Sequence, residues 1–141
     1  LYLDGVSDPG NLGTILRSAD WFGVEHVILS HGSVDCFNPK CIQASMGSIG
    51  RVTVNYLDFD QLPGLLPEGI PVYLAESAGA DVHTLKIDNP SILVIGSESH
   101  GVSKAMYRKN VISVAIPRHA QSQAESLNAA MAATALLALL S

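Results

Sequence analysis

Apolar residues recur along this chain in two rhythms, and the alternation between them lays out the expected fold. Leu1 to Val6 is a short apolar run that predicts a strand. Asp8-Pro9-Gly10-Asn11 follows as dense turn chemistry, with Asn11 expected as the N-cap of a helix. Leu12, Ile15, Leu16, Ala19 and Phe22 then return at helical spacing; Gly23 closes the helix, and Glu25 to Leu29 predicts the next strand. Asn38-Pro39 opens a short helix toward Ser45, and Arg51 to Tyr56 reads as a strand. Asp58 to Leu66 predicts a short helix stopped by Pro67 and Gly69. Pro71 to Ala75 predicts a strand, Glu76 to Gly79 a small-residue loop, and Ser91 to Ile95 a strand too apolar for a sheet edge. Ser103 to Lys109 reads as a short helix, Val111 to Ile116 as a strand, and Ser126 onward as the last helix, running to the C-terminus. Strands alternating with helices in this way predict an α/β fold, a mostly parallel sheet with helices on both faces.

Composition adds bounds to that picture. At 141 residues, 48% hydrophobic and 15% charged, with no internal shift of composition, the chain is expected to be one domain spanning residues 1–141. No apolar run approaches the roughly 18 residues of a membrane span, so no membrane partner is expected. Cys36 and Cys41 have no metal-ligand company, and His26, His31, His83, His100 and His119 show no ligand spacing, so a reduced cytoplasmic setting and no metal are expected. Thirteen acidic residues against eight basic ones leave a net charge of −5, the wrong sign for a nucleic-acid binder acting alone. The chain also starts inside a predicted strand, at Leu1. Both features suit an excised domain or processed fragment, with a basic partner domain expected upstream.

Three stretches carry candidate chemistry. In the first helix, Arg17 falls opposite the apolar stripe, since each residue turns about 100°, and Gly13 sits one turn before it. Helical side chains lean toward the N-terminus, so the Arg17 guanidinium is expected above the bare backbone of Gly13, at a helix start disposed to hold anions. The second is Gly96-Ser97-Glu98-Ser99-His100-Gly101, between a strand and a helix, where open α/β sheets place their ligands. Its two glycines would let a ligand approach the backbone. The third runs from Val114-Ala115-Ile116-Pro117 to Ser126-Leu127-Asn128. Within it, Ser122 and Glu125 fit a capping box that would start the last helix four residues before Ser126.

The spacing Asn11-x-Gly13-x-x-x-Arg17, preceded by Asp8-Pro9 and followed by Gly23-Val24, resembles motif 1 of the SpoU/TrmH family of RNA 2′-O-ribose methyltransferases. Gly96 to Gly101 resembles its motif 2, and Ile116-Pro117 followed by Ser126-Leu127-Asn128 its motif 3. The loop from Arg118 to Glu125 is longer than that family's usual small-residue loop, which loosens the placing of Ser126 and Asn128. The resemblance spans Leu3 to Leu140 and implies the trefoil-knotted SPOUT class, an α/β knot at the C-terminal end that topology rules alone would disfavour. It implies S-adenosylmethionine as cofactor, with Ala75, Gly96, Ile116 and Leu127 along its pocket. It implies Arg17 as the leading catalytic residue, with Asn11 positioning it or the substrate, and Glu98, Ser126 and Asn128 as secondary candidates. The substrate implied is structured RNA, rRNA before tRNA. A homodimer is expected through the last helix, which is apolar almost all round. Two other readings stay open beside it. One is a catalytically silent relative that binds RNA or cofactor. The other is a Rossmann-like enzyme, of whose first turn Gly10-Asn11-Leu12-Gly13 is a poor version.

Overall fold

Parallel strands buried on both faces need successive apolar residues, and Tyr2-Leu3, Tyr73-Leu74 and Leu93-Val94-Ile95 supply them at the centre of the sheet. The computed structural model describes residues 1–66, 68–87, 90–107 and 111–140. Six strands, β1 (Tyr2–Asp4), β2 (His26–Leu29), β3 (Thr53–Tyr56), β4 (Val72–Asp81), β5 (Ile92–Gly96) and β6 (Val111–Ala115), form one sheet in the order β3-β2-β1-β5-β4-β6. Every pairing is parallel. Three α-helices, α1 (Pro9–Trp21), α2 (Pro39–Ser45) and α3 (Ala129–Leu140), complete the frame.

Side chains alternate faces along a strand, and this splits the core in two. Leu3, Tyr73, Leu93 and Ile95 face a large cluster with Leu12, Ile15, Leu16 and Ala19 of α1 and Ala133, Leu136 and Leu137 of α3. Their neighbours Tyr2, Leu74 and Val94 face the opposite way, onto Phe59, Leu62 and Met106. That second face is closed by two 3-10 turns, Phe59–Gly64 and Lys104–Met106, where α-helices were expected from Asp58 to Leu66 and from Ser103 to Lys109. Pro67 and Lys109, named in those expectations, lie outside the described residues, as does Ser141 at the end of the last helix.

The expected loop Glu76 to Gly79 lies inside β4, which continues to Asp81. The register breaks there, so that Ala75 and Ala80 both face Val114 of β6. Gly79 lies against the β6 backbone; a Cβ on it would stand 2.6 Å from Val114 N. Glycine is therefore needed at the point where the strand rejoins its neighbour.

Gly13 is explained by packing rather than by Arg17. A Cβ built on it would meet Cys41 O at 2.4 Å, Ala44 Cβ at 2.6 Å and Ser45 N at 2.9 Å. The backbone of α2 fills the space expected to underlie the guanidinium. At an open helical position Gly→Ala raises stability by roughly 0.5–1 kcal/mol. Here Gly13→Ala is expected to lower it by about 2–3 kcal/mol, because backbone atoms must part to admit the methyl. A denaturant midpoint at or above wild type would refute the close α1–α2 approach.

Candidate active site

The three motif stretches converge on one hydrogen-bonded triangle. Asp8, rather than Asn11, caps α1: its carboxylate accepts the Asn11 backbone N–H at 2.7 Å, with Pro9 in the first helical turn. Asn11 therefore lies in that first turn with its side chain free of capping duty. Its Nδ2 donates to Glu98 Oε1. Asn128 Nδ2 donates both to Asn11 Oδ1 and to the same Glu98 oxygen, each at 3.0 Å.

Asn128 also settles where α3 begins. Its Oδ1 accepts the backbone N–H groups of Ala130 at 2.9 Å and Met131 at 3.2 Å, as an N-cap does. The helix consequently starts at Ala129, and the capping box expected at Ser122 and Glu125 does not form. The Ser122 hydroxyl accepts the Ala124 N–H instead, at 3.3 Å, and Arg118 Nη1 donates to the Ala124 carbonyl at 3.0 Å. The long loop is thus folded back on itself. One amide group both starts a helix and joins the ends of three chain segments.

The Glu98 loop is held from both ends. Ser97 and Gly101 exchange backbone hydrogen bonds of 3.0 and 2.8 Å, and Ser103 N–H reaches Asp4 Oδ2 at 2.7 Å, tying the loop to the end of β1. Gly96 is required by this closure. A Cβ there would lie 2.2 Å from Gly101 C, so the glycine admits the loop's own return rather than a ligand. Gly101 sits at φ +65°, in the left-handed region that favours glycine.

Beside the triangle opens a cavity of about 790 Å³. Ala75, Gly96, Ile116 and Leu127, the positions expected along a cofactor pocket, all line it, and Glu98 and Ser126 reach it as well. Its size falls in the range of small-molecule pockets. β4 contributes Glu76, expected only as part of a small-residue loop. Glu76 Oε1 accepts the Tyr107 hydroxyl and Oε2 accepts the Ser113 hydroxyl. The Glu76 carboxylate beside it pushes the Tyr107 phenol above its ordinary range. What could have flagged Glu76 is its type and place, a carboxylate directly after the apolar run from Pro71 to Ala75.

Arg17 stands apart. It is exposed on α1 and does not line the cavity, and it has no hydrogen-bond or ion-pair partner among the described residues. The same face of α1 carries Trp21, which is 82% exposed. Among the described residues no group of three His, Cys, Asp or Glu side chains could hold a metal ion.

Comparison with known proteins bears on what this arrangement serves. The family model described as the SpoU rRNA methylase family matches residues 1–138. A 23S rRNA (guanosine(2553)-2′-O)-methyltransferase of Bacillus subtilis, RlmP, is 36% identical over 144 residues, covering 97% of this chain and 55% of its own length. A 23S rRNA (uridine(2479)-2′-O)-methyltransferase of Streptomyces viridochromogenes is 34% identical, covering 95% of this chain and 49% of its own length. The chain therefore spans about half the length of these relatives. Among solved structures, an rRNA methyltransferase of Sinorhizobium meliloti with S-adenosylmethionine bound superposes with a TM-score of 0.88 at 32% identity, over 99% of this chain and 54% of that one. A TrmH-family protein from Porphyromonas gingivalis reaches 0.89 at 44% identity, over 99% and 57%.

Proposed function

The chain belongs to the SpoU rRNA methylase family, and on that premise we propose that it is the catalytic domain of an RNA 2′-O-ribose methyltransferase, acting on structured RNA, rRNA before tRNA. The observation that carries this reading is the meeting of Asn11, Glu98 and Asn128 at a cavity of about 790 Å³. The fit to S-adenosylmethionine rests on that cavity, whose wall combines apolar Ile116 and Leu127 with polar groups of β4 and of the Glu98 loop. When bound, the cofactor would supply an electrophilic methyl group on a sulfonium.

The work left to this chain's residues is to present a ribose hydroxyl to that methyl and to receive its proton. Glu98 Oε1 is occupied by two amide donors, while Oε2 has no partner among the described residues and keeps its acceptor capacity. It is the group we assign to orient or deprotonate the hydroxyl. Asn11 and Asn128 position it. Ser126, which has no hydrogen-bond partner among the described residues, is a further contact for the incoming nucleotide. Arg17 is always cationic and a poor base. Its role here is to grip an RNA phosphate and so set the hydroxyl in line.

The remaining features follow from the same proposal. The trefoil knot of the class belongs to it. Homodimerisation is supported by the open side of α3, where Met131 is 63% and Leu139 44% exposed, together with exposed Trp21 on α1. Among the described residues no helix is long and apolar enough to cross a membrane, and we place the enzyme in the cytoplasm. Because relatives are about twice as long and this chain carries a charge of −5, RNA selection is assigned to a more basic region outside these residues.

The test is methyl transfer from methyl-labelled S-adenosylmethionine to rRNA, followed by alkaline hydrolysis. Label retained in alkali-resistant dinucleotides is expected, because a methylated 2′-oxygen can no longer attack the adjacent phosphate. Label on bases would refute the ribose assignment. Cofactor binding without any transfer to RNA would favour the silent binding module.

A further inference from the structure

We infer that Glu76 is a cofactor-recognition residue, whose carboxylate attracts the positive charge of the sulfonium and so lets the cavity prefer S-adenosylmethionine to its demethylated product. This rests on reading the cavity as the cofactor site, and it goes beyond that reading by assigning a charge-selective group within it.

Glu76 lines the cavity, and each of its oxygens accepts one hydroxyl, from Tyr107 and from Ser113. These donors fix the orientation of the carboxylate and replace part of its hydration. Being neutral, they cancel none of its charge. Among the described residues no Lys, Arg or His forms an ion pair with it. Arg118, in the same cavity wall, spends one guanidinium nitrogen on the Ala124 carbonyl of its own loop. A half-buried carboxylate with no ion-pair partner among the described residues attracts a cationic ligand brought beside it. With Glu98 and Glu125 the wall carries three carboxylates against one permanent cation, Arg118, whose charge the neutral Ala124 carbonyl leaves intact, so the net field inside favours a cation.

The position suits the reacting end of the ligand. Glu76 extends from β4, and β5, the strand next to it, leads directly into the Glu98 loop. Adjacent strands are about 4.8 Å apart, so the charge acts near the triangle where transfer would occur.

The chemistry of the two ligands then separates them. S-adenosylmethionine carries an ammonium, a carboxylate and a sulfonium. The product, S-adenosylhomocysteine, carries the same ammonium and carboxylate around a neutral thioether. Any effect of Glu76 on the shared groups cancels in the comparison, and what remains reports the sulfonium. Methyl transfer thus removes the charge that Glu76 attracts, which favours departure of the product.

Isothermal titration of the wild type, Glu76→Gln and Glu76→Asp with each ligand tests this. Wild type is expected to bind S-adenosylmethionine about 10-fold more tightly than the homocysteine product. Glu76→Gln, isosteric and still able to meet both hydroxyls, is expected to weaken cofactor binding about 10-fold and product binding by less than about 3-fold, which erases the preference. Glu76→Asp keeps the charge and is expected to keep the preference. Ligand-free thermal midpoints confirm that each variant is folded. If Glu76→Gln weakens both ligands equally, or neither, the sulfonium role is overturned while the cavity remains the cofactor site. If wild type binds neither ligand, the cofactor reading itself falls.

Discussion

Replacing Arg17 by Ala is expected to cut methyl transfer by about 100-fold or more while leaving the dissociation constant for S-adenosylmethionine within about 2-fold. The separation follows from placement. Arg17 projects from the exposed face of α1, outside the cavity wall, and has no partner among the described residues whose loss would disturb the fold. Ala is also a better helix former, so the variant is expected to fold normally. What it lacks is a rigid, permanently charged fork able to hold a phosphate in two directions. Losing that grip lets the ribose wander, and a misplacement of about 1 Å can cost about 100-fold in rate. Arg17→Lys should restore RNA affinity, which depends on charge, more fully than rate, which depends on geometry. Rates come from single-turnover transfer and affinities from separate cofactor and RNA titrations. Transfer near the wild-type rate in Arg17→Ala would remove this residue from the mechanism.

How far the sequence could be read differs between the frame and the site. The alternation of Leu12, Ile15, Leu16 and Ala19 with the apolar strand runs is enough to predict a parallel α/β sheet, because that sheet requires strands apolar on both faces. Helix starts were harder. Asp8-Pro9 offered a stronger start signal than Asn11, a capping carboxylate followed by proline at the first helical position. At α3, the Ser122 and Glu125 pattern met the local rule for a capping box, yet the three-way contact of Asn128 with Asn11 and Glu98 won. That contact joins Asn128 to residues 30 and 117 positions away, which no local rule sees. Gly13 and Gly96 share this character. Each was legible as a glycine near a functional stretch, and each is fixed by backbone from elsewhere in the chain, α2 for Gly13 and the returning loop for Gly96. Glu76 was hidden by the break in register that keeps Glu76 to Gly79 within β4.

The glycines of the Glu98 loop yield the second large effect. Gly96→Ala is expected to lower stability by about 3 kcal/mol or more, a fall of roughly 10 °C in thermal midpoint for a chain of this size. The new Cβ would lie 2.2 Å from Gly101 C and 2.4 Å from Gly101 O and Val102 N, all backbone atoms with nowhere to rotate. Relief requires opening the reciprocal Ser97–Gly101 pair, which moves Glu98 out of reach of Asn11 and Asn128. Stabilisation by added S-adenosylmethionine, which wild type should show by mass action, is therefore expected to disappear as well. Gly101→Ala is the control. Nothing lies within 4 Å of its added Cβ, and only the φ of +65° opposes it, a backbone penalty of about 1–2 kcal/mol. That variant should melt a few degrees low and keep most of its cofactor-induced shift. Thermal melts of both variants, with and without cofactor, make the comparison. Equal losses in the two would mean that the loop closes less tightly at Gly96 than the backbone contact implies, and the link between that contact and the triangle would fail.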